Sequence, residues 1–267
     1  MLHSYDPYNL PTPNYKTAVL IDGGFYRIRA KHLFGEKTPK QRAAEIYHYA
    51  ARHAHDHRTN TNSLFRIFYY DCPPSEKTVT HPLTNRQIRL GITTQYKWMT
   101  EFLKELALVP KTAIRRGETL ETQSAYKLKP DILKKLCAKK ITIDDLTEND
   151  FRLEISQKGV DMRLGLDISS LSKEKIVDRI VVISGDSDLI PAAKLARRNG
   201  VDFIVDSLGM KINAEFREQV DVSIVQRVFP ESYEEALRNE DNLKDILHIE
   251  NLMSHPELVA ELIPSLL

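Results

Sequence analysis

Arg179-Ile180-Val181-Val182-Ile183-Ser184-Gly185-Asp186-Ser187-Asp188 joins a short aliphatic, β-branched run to a turn carrying two carboxylates. A run of this kind, halted by Ser-Gly-Asp, reads as a strand buried on both faces and ending in a tight turn. The pattern recurs on either side. Ala18-Val19-Leu20-Ile21 stops at Asp22-Gly23-Gly24. Leu64-Phe65-Arg66-Ile67-Phe68-Tyr69-Tyr70 stops at Asp71-Cys72-Pro73-Pro74, and Val201-Asp202-Phe203-Ile204-Val205 stops at Asp206. Helical stretches are expected over about 40–57, 84–108 and 189–199, the last halted by Gly200. Buried strands alternating with helices define an α/β fold with a mostly parallel central sheet flanked by helices. Ligands of such sheets bind beyond the carboxyl ends of the strands. Asp22, Asp71, Asp186, Asp188 and Asp206 all stand just past strand ends, so carboxylates are expected to converge on one edge.

Composition limits the partners. The chain has 267 residues, 42% of them hydrophobic and 28% charged, which suits a folded domain rather than a disordered chain. Lys+Arg is 38 and Asp+Glu is 37, a net charge of +1, so binding of nucleic acid through bulk charge is excluded while a local basic patch is not. No apolar run approaches the ~20 residues of a membrane span. Residues 1–13 show neither a cationic start nor an apolar stretch, so no secretory signal is expected. Cys72 and Cys137 are far apart and form no C-x-x-C, which fits a reducing, cytoplasmic setting.

Charge is uneven along the chain. From Lys111 to Lys140 nine Lys/Arg face three acids, a local excess of +6. From Glu231 to Leu267 nine Asp/Glu face two Lys/Arg, a local charge of −7 on a helical pattern. The expected organisation is an N-terminal extension (1–15), a main domain (16–229) with an inserted basic segment at about 72–157, and an acidic helical tail (230–267). The insert holds a hairpin expected around Ala113–Leu128. A homo-oligomer, or a protein partner held through the tail, is left open.

Asp186 and Asp188, two residues apart in a turn, can face one pocket, and Gly185 lets the backbone bend there. Asp188 also reads as a helix cap, Asp22 as a turn former, and Asp161 in Gly159-Val160-Asp161 as an acid favoured at a helix start. Singly these readings suffice. Four carboxylates on one edge would repel one another without a cation, and hard divalent ions such as Mg²⁺ or Mn²⁺ take oxygen ligands. Such an ion activates water and steadies charge on a phosphate, so phosphodiester cleavage without a covalent intermediate is the natural reaction. Lys158 and Arg163 flank Asp161, Ser184 opens the acidic turn, and Arg115 and Arg116 lie in the basic segment, so these five are the candidate substrate contacts. A solvated surface is the simpler reading of most lysines there. Phe25, Tyr26 and Arg27 follow Asp22 and can meet a base, although burial better suits Phe25. His53 and His57 share helical spacing but lack a third ligand, and no sequence neighbour supplies a base to activate Cys72.

Val19-Leu20-Ile21-Asp22-Gly23-Gly24-Phe25, Lys158-Gly159-Val160-Asp161 with Leu164 and Asp167, and Val182-Ile183-Ser184-Gly185-Asp186-Ser187-Asp188-Leu189-Ile190-Pro191 resemble the NYN domain family, a branch of the PIN-like nucleases. The resemblance runs from about Lys16 to Phe229. It implies a PIN-like, Rossmann-type sheet and a metal-dependent endoribonuclease acting on single-stranded or structured RNA. Asp22, Asp161, Asp186 and Asp188 map onto its acidic residues, both as Mg²⁺ or Mn²⁺ ligands and as catalytic groups. Many members carry Asn shortly after the first Asp, where this chain has Gly24 and Phe25.

Three rivals are weighed against this reading. A haloacid-dehalogenase-like phosphatase would need a second Asp at the position of Gly24. A nucleotide-binding Rossmann enzyme would need a Gly-rich phosphate loop, and neither G-x-G-x-x-G nor G-x-x-x-x-G-K-[ST] occurs. A PIN-like scaffold that binds RNA or protein without cutting is the third.

Overall fold

The computed structural model describes residues 16–56, 61–120, 124–155, 157–211, 214–218, 220 and 222–223. The extension at 1–15, His57 and the acidic tail lie outside them.

The central sheet is built from β1 (Thr17–Asp22), β2 (Leu64–Asp71), β3 (Thr112–Arg116), β4 (Arg179–Ile183), β5 (Asp202–Asp206) and the two-residue β6 (Val222–Ser223). Its spatial order is 3-2-1-4-5-6, and every pairing is parallel. That order reverses direction between β1 and β4, the place where a doubly wound sheet opens a crevice at its carboxyl edge. The register sets Ile21 opposite Ile183 and Asp22 opposite Tyr70, so β1, β2 and β4 end level with one another.

Aliphatic residues make these strands because both faces are covered. Val19, Ile21, Ile67 and Tyr69 pack under helices α1 (Gly23–Phe34), α2 (Pro39–His53) and α3 (Thr94–Leu108). Ala18, Leu20, Phe68, Tyr70 and Val182 pack on the other face, against α5 (Val160–Lys173) and α6 (Ile190–Arg198). A short α4 (Pro130–Cys137) lies between β3 and α5, and α7 (Ala214–Glu218) precedes β6. Leu20 and Ile21 are fully buried, each such side chain contributing about 1.5–3 kcal/mol over leaving it in water. The helix starts are written locally. Thr38 Oγ1 accepts from the Gln41 N–H at 3.3 Å while Gln41 Oε1 accepts from the Thr38 N–H at 3.1 Å.

The stretch between Cys72 and Gln157 departs from expectation twice. Residues 84–93 are not helical. Gln87–Arg89 pairs antiparallel with Thr78–Thr80, Leu90–Ile92 forms a 3-10 turn, and Thr93 caps α3 by accepting from the Tyr96 N–H at 3.2 Å. The hairpin around Ala113–Leu128 does not form either. Thr112–Arg116 joins the central sheet beside β2, while Ala125–Leu128 pairs antiparallel with Phe151–Glu154. A strand's alternation is local, but its partner is chosen by long-range contact. Among the described residues no helix is long and apolar enough to cross a membrane.

Candidate active site

Asp22 ends β1 and starts α1, its Oδ1 accepting from the Phe25 N–H at 3.1 Å. The turn after β4 is held by a relay of side chains. Ser184 Oγ accepts from the Asp186 N–H at 3.1 Å, and Asp186 Oδ1 accepts from the Asp188 N–H at 2.9 Å. Ser184 is 1% exposed, so its hydroxyl shapes the turn from inside. A Cβ on Gly185 would stand 2.9 Å from Phe25 Cε2, so only glycine lets the Phe25 ring lie across from α1 onto this turn. Asp161 opens the first turn of α5 behind Gly159, whose φ of 84° is the left-handed geometry that glycine takes without strain.

The four predicted acids share one field. Burial pushes the Asp22 carboxyl above its usual range, and the charge of Asp161 pushes it further, against the Phe25 N–H that pulls it down. Asp161 is raised first by burial, then by Asp186 and Asp188. Such mutual repulsion requires negative charge concentrated in one place. Among the described residues no three His, Cys, Asp or Glu side chains stand close enough together to hold a metal ion. The donor chemistry nevertheless suits Mg²⁺, which typically takes one or two protein carboxylates and completes its shell with waters and substrate phosphate.

The other predicted acids do different work. Asp71 is 2% exposed, ion-paired with Arg27, and accepts from the Tyr69 hydroxyl at 3.2 Å. A Cβ on Gly23 would fall 2.5 Å from Asp71 Oδ2, so this buried pair also sets the start of α1. Asp206 Oδ2 accepts from Tyr49 Oη and lies 2.9 Å from His53 Nε2, while its Oδ1 accepts from the Leu208 N–H at 2.8 Å. The acids that end β2 and β5 thus anchor helices, while Asp161 and Asp188 are exposed to solvent.

The predicted cations divide likewise. Arg115 donates from Nε to Asp167 Oδ2 at 2.8 Å and lies over the Phe68 ring, and Tyr70 donates to the same oxygen at 2.8 Å. Among the described residues Lys158, Arg163 and Arg116 are exposed and make no ion pair. Burial pushes the Cys72 thiol up, which leaves it a poor nucleophile. The Arg27–Asp71 pair and the Arg115–Asp167–Tyr70 cluster were not legible beforehand, since each joins residues distant in sequence.

A fold of this order, with acids at its switch point, defines a PIN-like α/β domain. The NYN domain family model matches residues 93–226, half of the chain, and the chain belongs to that family. The matched stretch includes Asp161, Asp186 and Asp188, and leaves Asp22 outside it. NYN domains carry a nuclease-type fold and act in general as ribonucleases. No curated protein matches the chain. A protein of unknown function from Vibrio parahaemolyticus, known as a crystal structure, is similar at 12% identity with a TM-score of 0.40, over 80% of this chain and 96% of that one. That likeness is too distant to carry inference.

Proposed function

We propose that the chain is a metal-dependent endoribonuclease that hydrolyses phosphodiester bonds in single-stranded or structured RNA, with Asp22, Asp161, Asp186 and Asp188 as its acidic centre. The reading is carried by one observation: the carboxyls of Asp22 and Asp161 are both held above their usual range, Asp22 by burial and Asp161, and Asp161 by burial, Asp186 and Asp188. Asp22 ends β1, and Asp186 and Asp188 follow β4, the two strands that flank the switch point where ligands of this architecture bind, which supports the reading. A bound Mg²⁺ or Mn²⁺ would supply an activated water and charge neutralisation at the phosphate. The protein's own part is orientation. Backbone N–H groups of Phe25 and Asp188 fix one oxygen each of Asp22 and Asp186, so those carboxylates point without paying for disorder at each turnover. Lys158 and Arg163, exposed beside Asp161, are suited to grip the RNA backbone.

The test is incubation of the purified chain with end-labelled single-stranded RNA, with and without Mn²⁺ or Mg²⁺. Internal cleavage that needs the metal is expected. RNA bound but left whole at every metal concentration would instead support a scaffold.

A further inference from the structure

A cavity of about 720 Å³ is lined by α1 and the start of α3, a volume that suits a nucleotide-sized ligand. Its floor is the first turn of α3 around Thr94, and one wall is α1 from Arg27 to Lys31. Two features tie it to the acids. Arg27, which lines it, is paired with Asp71, whose Oδ2 stands 2.5 Å from the point a Cβ on Gly23 would occupy, one residue past Asp22. Cys72, which also lines it, puts its Sγ 2.8 Å from the point a Cβ on Gly117 would occupy, beside Lys158 O at 2.7 Å and Val160 Cγ2 at 3.0 Å, just before Asp161.

The lining is mixed in a particular way. Ile28 lines this space and is 74% exposed. Trp98 lines it too, its other face stacked on Phe102 at 5.1 Å and its indole N–H held by Lys37 O at 3.0 Å. Pro73 adds a further apolar surface. Beside these stand the guanidinium of Arg27, held rigid by buried Asp71, and the ammonium of Lys31, paired with Glu36 at 2.6 Å on the surface. Apolar walls, an indole and cationic side chains are what an unpaired base and its phosphate require.

We propose that this cavity is the subsite for an unpaired nucleotide of the RNA next to the bond at the acidic centre, with Ile28 and Trp98 against the base and Arg27 and Lys31 toward the phosphate. The assignment rests on the ribonuclease reading, and it makes the start of α3 and Pro73 specificity elements.

Binding rather than cleavage tests it, so that the two readings fail separately. The probe is a fluorescein-labelled single-stranded RNA of a dozen nucleotides, titrated with the full chain without divalent metal and read by anisotropy. Ile28→Glu places a like charge in the cavity from an exposed position. Leu108→Glu, 78% exposed at the far end of α3, is the control. Ile28→Glu is expected to weaken binding about tenfold or more, with Leu108→Glu within twofold of the parent. Equal affinity for all three proteins overturns the subsite, as does a parent chain that binds no RNA. Uridine monophosphate bound in this cavity, with RNA left free, overturns it too. RNA held through Ile28 yet never cut sinks the ribonuclease reading and leaves the subsite standing.

Discussion

At the scale of single residues, the SGDSD turn separates charge from geometry. Asp186 supplies both a negative oxygen and the acceptor for the Asp188 N–H. Asp186→Asn keeps an oxygen able to accept that bond, so the fold should persist while metal-dependent cleavage falls on the order of 100-fold or more. Circular dichroism together with RNA cleavage rates checks this, and an unchanged rate in a folded variant removes Asp186 from the site. Gly23 has a purely steric duty. Its missing Cβ would meet Asp71 Oδ2 at 2.5 Å and Tyr69 Cζ at 2.6 Å, both on buried side chains with little room to yield. Gly23→Ala is expected to cost about 1–3 kcal/mol in urea unfolding.

At the scale of elements, helices are tied to strand ends by buried polar groups. Asp206 joins β5 to α2 through Tyr49 and His53. Burial opposes its charge, but the His53 and Tyr49 bonds and the Leu208 N–H outweigh that and hold its carboxyl below the usual range. A depressed carboxyl stabilises the fold above its unfolded pKa and loses that contribution as pH falls through the folded value. Asp206→Ala strands three buried partners and should cost about 3 kcal/mol or more near pH 7. The gap from the parent should narrow only below about pH 4, where the unfolded carboxyl begins to take up its proton. Thermal melts of both proteins across pH 3–8 would reveal this, and a constant gap would mean that shape, not charge, is what Asp206 provides. On the opposite edge Arg115 is spent on Asp167 while Arg116 is not. Arg116→Ala should therefore weaken RNA binding more than Arg115→Ala, in titrations at fixed salt.

At the scale of the whole molecule, the acids at the switch point are a standing repulsion. Asp22 and Asp161 sit above their usual pKa range in the folded chain, so charging both at neutral pH works against folding. A cation that binds only the native state should reverse this, by about 2.7 kcal/mol at a hundredfold excess over its Kd. Tm should rise with Mn²⁺ or Mg²⁺, and the rise should vanish in the Asp22→Asn/Asp161→Asn double variant. An undiminished rise in that variant would put the ion elsewhere.

The α/β class, the core strands and the acidic turn followed from local signals. Ile180 to Ile183 and Val19 to Ile21 had to be buried on two faces because nothing polar interrupts them, and Gly185 had to mark a turn. What a strand pairs with and which acids face solvent were decided only by the tertiary structure. Asp71 and Asp206 have the same sequence context as Asp22, an acid at the end of an apolar run. They differ only because Arg27, Tyr49 and His53, each carried in by a packed helix, neutralise or bond them. Likewise nothing local in Thr112–Arg116 names its partner, and its place beside β2 depends on contacts some forty residues away along the chain. Local periodicity reports how a segment is buried, whereas charge pairing and register are properties of what the fold brings next to it.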